Sequence, residues 1–187
     1  ALAIALARVS PYGWLRVASK TLVNVVRGMP LLMLIFWAYF VVPKLTGQVI
    51  SGFWTLIAAL VVYESAYLSE VIRSGIEAVP RGQIEASRSL GVGYWTTMRR
   101  VVLPQALFNV LPSLTSQFVS TVKETSLGYV ISVNELTFAA NQVNNLVLTQ
   151  PLQVFGILAI IYFVVCFSLS RGLSWLDLRI RRQRAMA

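Results

Sequence analysis

The 187 residues are 57% hydrophobic and 12% charged, about half the charge of an ordinary soluble domain, so the composition reads as a membrane protein one domain long. The net charge of +9 does not signal nucleic acid, because the cations sit in blocks separated by apolar runs. The absence of histidine and the single cysteine, Cys166, exclude Ser-His, Cys-His and His-metal chemistry and a disulfide framework.

In chain order, Ala1 to Ala7 is an apolar stub ahead of Arg8. It is too short to span a bilayer, which takes about 20 residues. It reads as the cytoplasmic end of a helix mostly missing from this chain. Ser10 to Trp14 reads as a turn and Leu15 to Arg27 as an interfacial helix. Gly28 to Val42 is the next apolar run, and Pro43 to Ser51 a polar turn. Gly52 to Ile72 is long enough to cross, with Trp54 suited to one interface and Arg73 to the other.

A polar segment at about 74–100 follows. Its pieces suit docking. Pro80 opens a helix over Gly82 to Leu90. Ala86, Ser87 and Ser89 allow close backbone approach, and Gly91 supplies a left-handed stop. Tyr94 and Trp95 suit the membrane interface, and Arg99 and Arg100 the lipid phosphates. An ordinary amphipathic surface helix is the plainer alternative.

Val101 to Val122 is the next expected span, interrupted by Pro104 and Pro112. Leu127 to Leu136 continues apolar. Thr137 to Gln150 is rich in Asn and Gln and carries no Lys or Arg, so it reads as an outward loop. Leu152 to Ser170 is the last span, and Leu176 to Arg184 a basic tail. The count is four spans, or five with the missing helix restored. The basic blocks place the amino end out and the carboxyl end in.

Four charges stand in or beside the apolar runs. Glu64 falls about twelve residues into its span, where a carboxylate is costly and by default functional. Glu70 lies about 9 Å further along the axis and points to another side. It is a candidate partner for Arg73. Lys123 and Glu124 close the next helix, which also carries Pro112 and Gln117. Lys123 is read as a partner for Glu64, as a contact for an anionic substrate group, or as a snorkelling cation. Glu64 itself is open between a substrate contact and a structural ion pair.

Several of these segments match a family signature. Glu85-Ala86-Ser87, three residues, Gly91, nine residues, Val101, one residue, Leu103-Pro104 resembles the cytoplasmic loop of permease subunits of ATP-binding-cassette importers. Ser87 replaces the usual second Ala, and Val101 an Ile. Arg27 to Leu32, Tyr63 to Ile76, Gly82-Gln83 and Lys123 to Leu127 resemble the polar amino acid uptake branch, with Met29 where Thr or Ser is usual.

The resemblance implies an all-α integral membrane fold, the five-helix importer-type domain, forming a single permease domain over residues 1–187. It implies that the loop is the coupling helix, with Gly82, Glu85, Ala86, Ser87, Gly91, Leu103 and Pro104 as its residues. It places the substrate path along the two helices carrying Glu64, Glu70, Pro112, Gln117 and Lys123. The implied partners are ATP-binding-cassette ATPase subunits, a second permease subunit (identical or a sister chain), an extracytoplasmic solute-binding protein, an amino acid substrate and membrane lipid. No phosphate-cradling Gly-x-x-x-x-Gly-Lys-Ser/Thr segment occurs, so ATP belongs to a partner and the chain has no cofactor of its own. The implied location is the bacterial inner membrane. Tyr63 to Tyr67 leans towards acidic amino acids. An intramembrane enzyme is disfavoured by the angular offset of Glu64 and Glu70, and a channel or scaffold would not need the spaced loop.

Overall fold

The computed structural model describes residues 1–185, with side chains described through Ile180, so Arg181, Arg182 and Arg184 of the expected basic tail lie outside the described side chains. Every regular element among the described residues is helical. The helices are α1 (Leu2–Arg8), α2 (Gly13–Arg27), α3 (Leu31–Phe36), α4 (Val42–Thr46), α5 (Gly52–Glu77), α6 (Arg81–Ser89), α7 (Tyr94–Thr97), α8 (Leu103–Glu124), α9 (Leu136–Val147) and α10 (Pro151–Ala185).

Prolines and glycines punctuate them. Pro30, with extended backbone, separates α2 from α3. Gly47 ends α4 in the left-handed region at φ 69°, so the polar turn expected from Pro43 is helical through Thr46. Two π-helical turns, Trp37–Val41 and Met98–Val102, fall just ahead of Pro43 and Pro104. A proline clashes with the carbonyl four residues back and cannot donate to it, and a widened turn absorbs the mismatch.

α5 runs 26 residues, about 39 Å at 1.5 Å per residue, which exceeds a hydrocarbon core of about 30 Å. It reaches mean hydropathy 1.5, and Pro151–Ile180 of α10 reaches 2.5 with none of its most apolar window buried. These two described helices qualify as spans alone, and α2 with α3–α4 makes a third if the broken pair is counted as one. The expected span at Val101 to Val122 lacks the hydropathy because α8 carries Gln105, Asn109, Ser113, Ser116, Gln117 and Ser120 among its apolar residues.

The chain divides into two compact units, Ala1–Gly28 with Glu64–Leu114, and Met29–Tyr63 with Thr115 onward. In the first, Ala5, Ile72, Ile76, Val79, Met98, Val102 and Ala106 form one buried cluster. Gly75 lets α5 lie against α8 there: a Cβ at this position would meet the Ala106 carbonyl oxygen at 2.8 Å and come closer still to Val110 Cγ1. In the second, Leu31, Ile35, Leu56, Ala59, Leu60, Ile131 and Val133 form the core. The expected loop Thr137 to Gln150 is instead mostly the helix α9. Glu135 caps it, its carboxylate accepting from Phe138 N–H at 2.6 Å and Thr137 N–H at 2.8 Å. Tyr162 OH donates to the same carboxylate at 3.3 Å, which ties α9 to α10.

Candidate functional site: a polar helix–turn and a buried carboxylate

Residues 78–104 build a compact polar element in the first unit. α6 begins after the extended Pro80 and ends at Leu90, and Gly91 follows at φ 76°. Val92 N–H donates to the Ser87 carbonyl at 3.2 Å, and Gly91 N–H to the Arg88 carbonyl at 2.9 Å. This pair of bonds is the Schellman closure, which needs a residue with free access to positive φ at Gly91. The left-handed stop expected there from sequence is therefore present.

The element is held from behind. Buried Ser87 and Thr97 share a hydroxyl hydrogen bond of 2.8 Å, pinning α6 to α7. Gln105 Nε2 donates to Gln83 Oε1 at 2.5 Å, joining α6 to the start of α8 just after Leu103 and Pro104. Tyr94 OH donates to the Val9 carbonyl at 2.7 Å. Burial pushes the Tyr94 phenol above its usual pKa, with the Arg88 guanidinium opposing. The outer surface is left free: Glu85 and Ala86 are exposed, and Leu90 is 83% exposed. Sequence reasoning passed over Leu90, although an apolar residue one place before a helix-ending glycine is a legible signal.

The candidate substrate-path residues divide between the units. Glu64, Glu70 and Pro112 belong to the first, and Gln117 and Lys123 to the second. Glu64 is buried at 7% exposure. Pro112 lies inside α8, and Lys123 lines a cavity of about 450 Å³ with Tyr162, Cys166 and Ser170. Ser69 is fully buried and donates to its own helix at the Ala66 carbonyl (2.7 Å).

Glu70 does pair with Arg73, at 2.5 Å, and Arg73 also bonds Glu77. Sequence reasoning missed the rest of this hub. Arg8 from α1 bonds the second Glu70 oxygen, Arg27 from α2 approaches it at 3.9 Å, and the Arg27 guanidinium stacks 5.0 Å above the Tyr67 ring. One carboxylate thus gathers arginines from three helices. No local pattern announces a contact 62 residues away.

The family described as "Binding-protein-dependent transport system inner membrane component" matches residues 1–182. The probable glutamine ABC transporter permease GlnP of Bacillus subtilis is 40% identical over 160 residues, covering 84% of this chain and 73% of that protein. The glutamate/aspartate import permease GltK of Escherichia coli O157:H7 is 34% identical over 177 residues, 91% of this chain and 77% of that protein. A crystal structure of an amino acid ABC transporter superposes with TM-score 0.87 at 35% identity, covering 95% of this chain and 82% of its own. The inward-facing MetNI methionine ABC transporter shares the fold at TM-score 0.71 and 22% identity, over 92% and 84% of the two chains. With its polar helix–turn set among apolar helices and a family match over nearly its whole length, the chain belongs to the inner membrane components of binding-protein-dependent transport systems.

Proposed function

We propose that this chain is the permease subunit of an ATP-driven importer of polar amino acids, with acidic amino acids or glutamine as substrate. ATP hydrolysis takes place on separate ATPase subunits, and the chain transmits it through α6 and the Gly91 turn. The observation that carries this reading is the rigidly backed helix with an exposed small-residue face and the exposed Leu90 at its end. The names of the relatives, glutamine and glutamate/aspartate permeases, support the substrate class. A second permease subunit and a solute-binding protein complete the assembly.

Glu64 is the residue proposed to sort substrates by charge. Glu64 is buried midway along a spanning helix, where an ionisable side chain is by default functional. The test is uptake into proteoliposomes holding the full complex, with acidic, neutral and basic amino acids in competition. Uptake of at least one polar amino acid, driven by ATP and dependent on the solute-binding protein, is expected. Glu64→Gln keeps size and hydrogen bonding while removing charge, and should alter the ranking by about tenfold, about 1.4 kcal/mol of differential binding. Less folded protein with an unchanged ranking would make Glu64 a structural residue.

A further inference from the structure

The first unit contains a cavity of about 610 Å³ on the inner side of the polar element, lined from α1, α2 and α5 as well and by none of the substrate-path candidates. Arg8, Arg16, Arg81 and Arg88 stand on its wall, with Glu77 as the one acid among the lining residues. Glu77 is already bonded to Arg73, and Arg8 to Glu70. Among the described residues, no ion pair involves Arg16, Arg81 or Arg88. Three helices therefore bring four guanidinium groups to a hollow lined by one carboxylate, which leaves it net positive. The lining also includes the buried apolar residues Val79, Met98 and Val102.

We propose that this cavity binds a phosphate-bearing anion, and that its apolar lining, able to cover the hydrocarbon next to the phosphate, favours an anionic phospholipid over free phosphate. Guanidinium groups engage phosphate oxygens in pairs through a planar fork. Basic pockets beside membrane helices on the cytoplasmic side are the usual receivers of anionic headgroups. α2, which supplies Arg16, also exposes Trp14 at 74%, an aromatic suited to the bilayer interface. The hollow is of the size that small-ligand sites occupy, about 300–1,000 Å³. Because Arg81 and Arg88 belong to α6, a bound phosphate ties the coupling element to the lipid surface.

The experiment uses the whole transport complex in nanodiscs of phosphatidylcholine alone or of phosphatidylcholine with phosphatidylglycerol in a three-to-one ratio. Retained lipid is counted by native mass spectrometry, and the unfolding midpoint is recorded. A second arm titrates inorganic phosphate into the phosphatidylcholine discs. Phosphatidylglycerol should be retained and should raise the midpoint. R16Q/R81Q/R88Q should weaken that retention by about a hundredfold, at roughly fivefold per arginine. The charge-matched control K20Q/R171Q/R179Q, outside the cavity, should change it less than about threefold. If the triple variant does not fold, Arg16→Gln alone, at an exposed position, carries the test with a loss of about fivefold. Stabilisation by inorganic phosphate that the triple variant abolishes supports the phosphate site and assigns it to the free anion. No response to either probe, or an equal loss in the control, overturns the proposal.

Discussion

Replacing Gly91 by Asn, Ala, Val and Asp probes the coupling element through its most constrained backbone position. Gly91 holds φ 76°, and a Cβ there would meet nothing within 4 Å. Any cost is therefore conformational, not steric crowding. An ordinary L-residue in the left-handed region costs about 1–2 kcal/mol, Asn less because its side chain tolerates that region, and a β-branched residue more. A penalty of 1–2 kcal/mol divides the population of the correct turn by about 5 to 30. The expected order of coupling is Gly, then Asn, Ala and Val. Asp has nearly the backbone tolerance of Asn, so any excess loss in Asp measures the intolerance of the docking surface for negative charge. The assay is substrate-stimulated ATP hydrolysis beside uptake in the reconstituted complex, normalised to inserted protein. Wild-type stimulation and uptake in the Val variant, or equal losses in Asn and Val, would refute the argument that the left-handed closure positions the coupling helix.

Gly75→Ala should destabilise the first unit by about 2 kcal/mol, since overpacking against the Ala106 carbonyl outweighs the gain in helix propensity of about 1 kcal/mol. Val110→Ala should rescue only part of this, and an unchanged unfolding midpoint in detergent would mean α5 and α8 do not touch as described. Glu70→Gln leaves the arginine hub without its carboxylate. It should cost about 3 kcal/mol, the low end for a broken buried pair because the Glu70 side chain is 24% exposed. Adding Arg8→Gln should recover part of the loss, and simple additivity of the two would contradict the hub. A cysteine at Asn141 in a Cys166→Ser background should react with an impermeant maleimide added from outside, and reaction only from the cytoplasm would invert the topology read from the Lys and Arg distribution.

Local signals were legible in the sequence, and long-range ones were not. The stop at Gly91, the span starting at Gly52 and the Glu70–Arg73 pair each follow from residues within one or two helical turns. The Arg8–Glu70 bond joins residues far apart in sequence, and neither carries a local mark of the other. At α9 the Asn and Gln content read as a loop. The competing pattern was present in Leu136, Ala139, Ala140, Val143 and Val147, one apolar face at helical spacing, with Glu135 ready to cap. Polar residues on the other face hid it. α8 forms where the span around Pro104 and Pro112 was expected, and its Gln, Asn and Ser side chains keep its hydropathy below that of α5 and α10.

The most direct test of the coupling role is contact between α6 and the ATPase subunit. Cysteines placed singly at exposed Glu85 and Leu90, in a Cys166→Ser background, are converted to photocrosslinkers in the assembled complex. The account predicts crosslinks to the ATPase subunit from both positions, changing in yield with bound nucleotide, and none from Asn141. Absence of crosslinks at Glu85 and Leu90 in a complex that still hydrolyses ATP in response to substrate would contradict it.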